Sequence, residues 1–203
     1  MQKEFLLHDL AVKDAKHGHQ RPKIEEYGDS VFAVMHLIEL IDGEFITGEL
    51  AVFAGHNFVL SVRSRSQKTF LGVRARCEHA PHLLQQGSGF VLYALMDAIV
   101  DSYFPLVDEL ETELESIEEE IFHEHGARSS IRRLYELKAR MMLLKHAVAP
   151  LVETVSKLHG IRVPQVCVKS EHYFRDVHDH LALLTIVTEC SLLYYKFKCS
   201  GWL

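Results

Sequence analysis

The residues of this chain with the clearest capacity for chemistry are carboxylates and imidazoles at helical spacing. Asp97 and Asp101 stand one helical turn apart, and Asp176 stands one turn from both His172 and His180, so on a helix each set shares a face. Such a face can meet a divalent cation. A hard ion such as Mg²⁺ takes oxygen ligands and keeps most of its waters, so one or two carboxylates per ion suffice. The same spacing also fits a solvated stripe for Asp97 and Asp101, and for Asp176 a partner of Arg175, Lys169 or a neighbouring histidine. No nucleophile has a recognisable setting, because the chain holds no Gly-x-Ser-x-Gly elbow, no glycine-rich phosphate loop and no His-Glu-x-x-His zinc helix. An enzyme is not expected.

The elements that must position these residues fall into two parts, 1–89 and 90–203. In the first, Phe5 to Lys16 carries a short helical face, and Arg21-Pro22 is extended because proline disfavours helix in the residue before it. Three β-like runs follow, Val31 to Leu40, Phe45 to Phe53 and Phe58 to Val62, with Asp42-Gly43 and Gly55-His56-Asn57 as turns between them. That order predicts an antiparallel meander. Thr69 to Glu78 predicts a helix, and Gln86-Gly87-Ser88-Gly89 a break.

From Phe90 the apolar residues advance in steps of three and four, from Leu92 through Leu95, Ile99, Tyr103, Leu106 and Leu110 to Ile121. This is one long helix, bent but not ended at Pro105. Gly126 ends it. Leu134, Leu137, Met141, Leu144, Val148, Leu151, Val155 and Leu158 then form a heptad seam. Asp108 to Glu124 holds nine acids and no Lys or Arg, while Arg128 to Lys145 holds six bases, so an antiparallel hairpin sets opposite charges side by side. A third helix begins near Ser170. The fold class is α+β: a sheet flanked by helices, followed by long antiparallel helices of a stalk.

With 22 basic against 28 acidic residues and a net charge of -6, a general nucleic-acid surface is not expected, and cations are the favoured partners. The cysteines Cys77, Cys167, Cys190 and Cys199 show no paired spacing, which predicts a reducing compartment. Met1-Gln2-Lys3-Glu4 leads into an amphipathic segment with no uncharged apolar run, so a secretory leader is not expected. The best membrane candidate, Leu181 to Tyr195, is shorter than the roughly 20 apolar residues of a span and contains Glu189. The chain as given is expected to be soluble.

Three stretches together resemble the cytoplasmic part of CorA-type divalent-cation transporters: His19-Gln20-Arg21-Pro22-Lys23 after the acidic-ended Leu10 to Asp14, the helix Leu92 to Pro105, and Tyr173-Phe174-Arg175-Asp176-Val177-His178-Asp179-His180. The resemblance implies a homopentamer with an α/β/α cytoplasmic domain at the inner face of the plasma membrane. It also implies a regulatory Mg²⁺ held between subunits by Asp14 and Asp176, with Co²⁺ or Zn²⁺ as alternative ions. An adjoining site would use Asp97 and an acid where this chain has Lys13, a residue that repels a second cation. The family has strands before this segment and two membrane helices with Gly-Met-Asn. The matching segment opens this chain, so the first strands of the sheet are expected to be missing; the match fails after His180 and Gly-Met-Asn is absent, so the membrane helices are expected to be missing too, and the chain is not expected to conduct ions. The role implied is metal sensing and gating. Alternatives are the cytoplasmic domain of a ZntB-type zinc transporter, which the many histidines favour, and a non-transporting helical scaffold or truncated remnant.

Overall fold

The run Val31 to Ile38 is apolar at nearly every position because both faces of its strand are covered. The computed structural model describes residues 4–67, 69–122, 127–160 and 162–199. Strands β1 (Lys23–Tyr27), β2 (Ser30–Ile41), β3 (Glu44–Ala54) and β4 (Val59–Ser64) make an antiparallel sheet in the order β1-β2-β3-β4. Asp42 and Gly43, both with positive φ, close the β2–β3 hairpin, as a tight turn matched to strand twist requires.

Seven helices accompany the sheet among the described residues: α1 (Asp9–His17), α2 (Leu71–His79), α3 (Pro81–Leu84), α4 (Ser88–Asp101), α5 (Phe104–Phe122), α6 (Ala127–Val155) and α7 (Glu171–Cys199). Strand alternation sends Phe32, Val34, Ala51 and Phe53 to one side, where they pack with Ala11 of α1. It sends Val31, Ala33, Met35, Leu50 and Val52 to the other, into one core with α4, α5, α6 and α7. The layers are thus α/β/α, with α1 alone on its side.

β1 is a strand that the hydrophobic pattern does not announce. Only Ile24 is buried there, because β1 is an edge strand. Its outward Lys23, Glu25 and Tyr27 hydrogen-bond one another, Lys23 Nζ to Glu25 at 2.9 Å and Tyr27 Oη to Glu25 at 2.9 Å. Pro105 does more than bend the long helix. Lacking an N–H, it cannot bond the carbonyl of Asp101, and the chain leaves α4 through Ser102–Tyr103, with Leu106 N and Val107 N both reaching the Tyr103 carbonyl at 3.1 Å. Tyr103 turns inward and its hydroxyl donates to the His36 carbonyl at 2.7 Å, which ties this corner to β2. Gly89 lies inside α4 and not in a break, at a point where a Cβ would run into the Val166 carbonyl.

All eight positions of the α6 seam are buried. Each buried leucine contributes about 1.5–3 kcal/mol, against about 0–1 kcal/mol for an exposed ion pair, so burial holds the α5–α6 hairpin and charge selects its partner. Arg140 meets Glu113 in a largely buried pair across it, and Arg133 meets Glu120 in a more exposed one. The stretch Ser88–Glu120 is long and apolar enough to cross a membrane by length and composition, but 61% of its most apolar window is buried inside the fold. It is a core helix.

Candidate metal centre

α4 and α7 run beside one another, pinned by aromatic contacts. Tyr93 of α4 stacks on Tyr173 of α7 at 4.9 Å, and the Phe174 ring stands edge-on to Tyr93 at 6.2 Å. One turn beyond this cluster, Asp97 and Asp101 of α4 face Asp176 and His180 of α7. Asp97, Asp176 and His180 each offer a ligand atom, all within 4.8 Å of one another. Asp101 Oδ1 lies 3.7 Å from His180 Nδ1, and Asp176 Oδ1 lies 4.0 Å from His180 Nε2. The Phe104 ring meets the imidazole at a right angle.

The local charge is unbalanced. Three carboxylates converge, and the strongest cationic contact is Arg76 of α2, which donates to Asp97 Oδ2 at 2.9 Å and to the Ala94 carbonyl at 3.3 Å. Asp97 is only 6% exposed, so it is not part of a solvated stripe. Burial raises the pKa of Asp101 from its ordinary 3.8, the Asp97 carboxylate raises it further, and Asp176 adds to the same direction against the opposing His180 and Arg76. Burial and the same carboxylates push the Tyr93 phenol up to about 12. His180 Nδ1 is buried and makes no hydrogen bond.

The donor set fits a divalent cation: two or three carboxylate oxygens and an imidazole nitrogen, with excess negative charge for an ion to offset. Asp14 is placed differently. It sits on α1, on the far side of the sheet from α4 and α7, and accepts from Lys23 Nζ at 2.7 Å. Burial of that ammonium works against its charge, but the hydrogen bonds to Asp14 and Glu25 outweigh it, and the Lys23 pKa is raised. Within one chain, therefore, Asp97 and Asp176 come together and Asp14 does not join them. Arg76 carries no spacing signal toward Asp97, since the two are 21 residues apart; only packing of α2 on α4 unites them. His172, at the other end of the spacing argument, packs tilted against its neighbour Tyr173 instead, at 4.0 Å.

The raised Asp101 pKa has a signed consequence. Between the ordinary aspartate value and the raised one, the folded chain binds more protons than the unfolded chain, so stability falls as pH rises through that window. The Asp101 contribution is expected to favour the metal-free fold as pH falls through the window, so the difference in melting temperature between Asp101→Asn and the parent is expected to shrink on acidification from a small gain at neutral pH. Thermal unfolding against pH in chelator checks it, and an unchanged profile in Asp101→Asn would contradict it.

The chain matches the family described as CorA-like Mg²⁺ transporter protein over residues 1–190. The cobalt/magnesium transport protein CorA of Thermotoga maritima is 30% identical over 179 residues, which cover 87% of this chain and 51% of that protein. The soluble domain of CorA from Methanocaldococcus jannaschii superposes with a TM-score of 0.76 at 18% identity, covering 96% of this chain and 78% of that one. The ZntB cytoplasmic domain from Vibrio parahaemolyticus superposes with a TM-score of 0.75 at 10% identity, covering 98% and 79%. At these identities the two superpositions speak for the fold. The chain spans about half the length of the curated relatives it matches.

Proposed function

The chain belongs to the CorA-like Mg²⁺ transporter family, and from that premise we propose that it is the metal-sensing and gating portion of a divalent-cation transporter. The observation that carries this reading is the convergence of Asp97, Asp101 and Asp176 beside a single arginine. A cation bound there offsets carboxylate repulsion, and the conformation that presents the carboxylates together is the one the ion selects. Asp14 and Asp176 lie on different layers of one chain, so an ion shared by them joins two copies. Self-association has its own surface on α7, where Leu183, Ile186, Cys190 and Leu193 are exposed and advance by three, four and three, the period of a coiled-coil seam. A homopentamer of parallel α7 helices is the assembly this reading takes.

Millimolar Mg²⁺ is expected to raise the melting temperature of the purified chain and to increase its oligomeric size in light scattering relative to chelator. An ion at 100 times its dissociation constant adds about 2.7 kcal/mol. Asp176→Asn is expected to abolish both responses; equal responses in the variant would remove Asp176 from the sensor.

His180 favours a second reading, in which the ion at the α4–α7 cluster is Zn²⁺ or Co²⁺, since both accept imidazole and Mg²⁺ does not. In that case His180→Gln removes the Zn²⁺ response and leaves the Mg²⁺ response intact. Loss of both together, or of neither, rejects it.

A further inference from the structure

On the far side of the molecule's chemistry, at the β1 edge of the sheet, a cleft of about 440 Å³ is lined by Arg21, His36, Lys145, His146, Ala149 and Pro150. In a chain of net charge -6, no carboxylate is among its lining residues, and Arg21, Lys145 and His146 bring basic side chains to it. We infer that this cleft binds a phosphate-bearing anion, with Arg21 as its principal ligand.

Three features make the cleft a built site. Glu49, only 3% exposed, accepts the Gln20 backbone N–H at 3.0 Å, and His36 Nε2 donates to the Gln20 carbonyl at 3.0 Å. Glu49 and His36 are cross-strand partners on β3 and β2, so the two hold both backbone groups of Gln20, the residue immediately before Arg21. Pro22 then restricts the backbone on its other side. The backbone at the root of Arg21 is thus fixed, while its exposed side chain offers a planar fork of donors suited to phosphate oxygens. Arg21 has no carboxylate partner among the described residues, which leaves that fork free for a ligand.

The opposite wall is one turn of α6. Lys145 is anchored there by Glu189 of α7 at 2.8 Å, so its charge is partly offset while its position is fixed. His146 is exposed on the same turn. Pro150 inside α6 has no N–H to give the His146 carbonyl. This reading is independent of the metal centre, which lies between α4 and α7.

The shared chemistry is a phosphate group, from a soluble phosphate compound or from a phospholipid headgroup. Titration of the chain with inorganic pyrophosphate in chelator, by calorimetry, tests the first source. Cosedimentation with phosphatidylcholine vesicles, with and without phosphatidylglycerol, tests the second. We expect saturable binding in one arm that weakens about tenfold or more in Arg21→Gln, as loss of a charge-assisted hydrogen-bond pair implies, and weakens further in added salt. His146→Gln, a change at an exposed position, is expected to weaken the same arm less while leaving the melting temperature unchanged. Absence of binding in both arms overturns the inference, and so does binding that is unaltered in Arg21→Gln.

Discussion

Phe174→Ala is expected to lower the unfolding free energy by about 3–5 kcal/mol, the range for truncating a fully buried aromatic. Phe174 is 0% exposed and sits two residues before Asp176, where α7 docks on α4 through Tyr93. For a chain of this length, where each kcal/mol moves the transition by about 2–4 °C, the melting temperature falls on the order of 10 °C. Urea unfolding measures the loss as a lower midpoint at constant slope. The variant links fold to site, because the same contact sets the spacing of Asp97 and Asp176. At a temperature where Phe174→Ala remains folded, its Mg²⁺-induced stabilisation is expected to shrink as well. A loss below about 1 kcal/mol would mean that the cavity collapses or that α7 is not docked there. Asp176→Asn gives the contrasting sign: without metal it relieves repulsion among three carboxylates, so it is expected to be at least as stable as the parent.

The α6 seam was fully legible, since eight apolar residues at three-four spacing leave a helix only one face to bury, and all eight are buried. The β2–β3 hairpin was legible for a related reason, with long apolar runs on both sides of Asp42-Gly43. β1 was not, because an edge strand with one inward residue carries no alternation to read. Gly89 misled in the opposite direction: glycine in a loop-like string was needed for close approach of α4 to the Val166 backbone, a requirement set by residues far along the chain. At the site, periodicity placed Asp97 with Asp101 and Asp176 with His180, but it did not say that the two faces oppose one another. Nor did it distinguish the buried Asp97, held by Arg76, from the more exposed Asp101. Those distinctions come from helix packing, where contact partners are separated by tens of residues. The pairing of Asp14 with Asp176 came from resemblance alone, and a single chain keeps the two on opposite layers.

That separation makes assembly the decisive variable, and Ile186→Asp is the change expected to abolish it. Ile186 is 60% exposed at the middle of the Leu183–Leu193 seam, so a charge there does little to the isolated chain and disfavours burial between copies. Light scattering is expected to show an oligomer for the parent and a monomer for the variant, at closely similar melting temperatures in chelator. Orientation can be read from Cys190 in the same seam. Parallel helices in register bring equivalent positions of neighbouring copies together, within reach of the 4.4–6.8 Å Cα separation of a disulfide; antiparallel packing about another centre does not. Diamide, taking up the two electrons and two protons released by a pair of thiols, is expected to yield a covalent dimer that Cys190→Ser prevents. An oligomer unaffected by Ile186→Asp would move the interface elsewhere. The same variant also separates the two ion sites: a site shared by Asp14 and Asp176 of different copies must fail when assembly fails. The cluster of Asp97, Asp176 and His180, complete within one chain, is expected to keep its response to Zn²⁺ in the monomer.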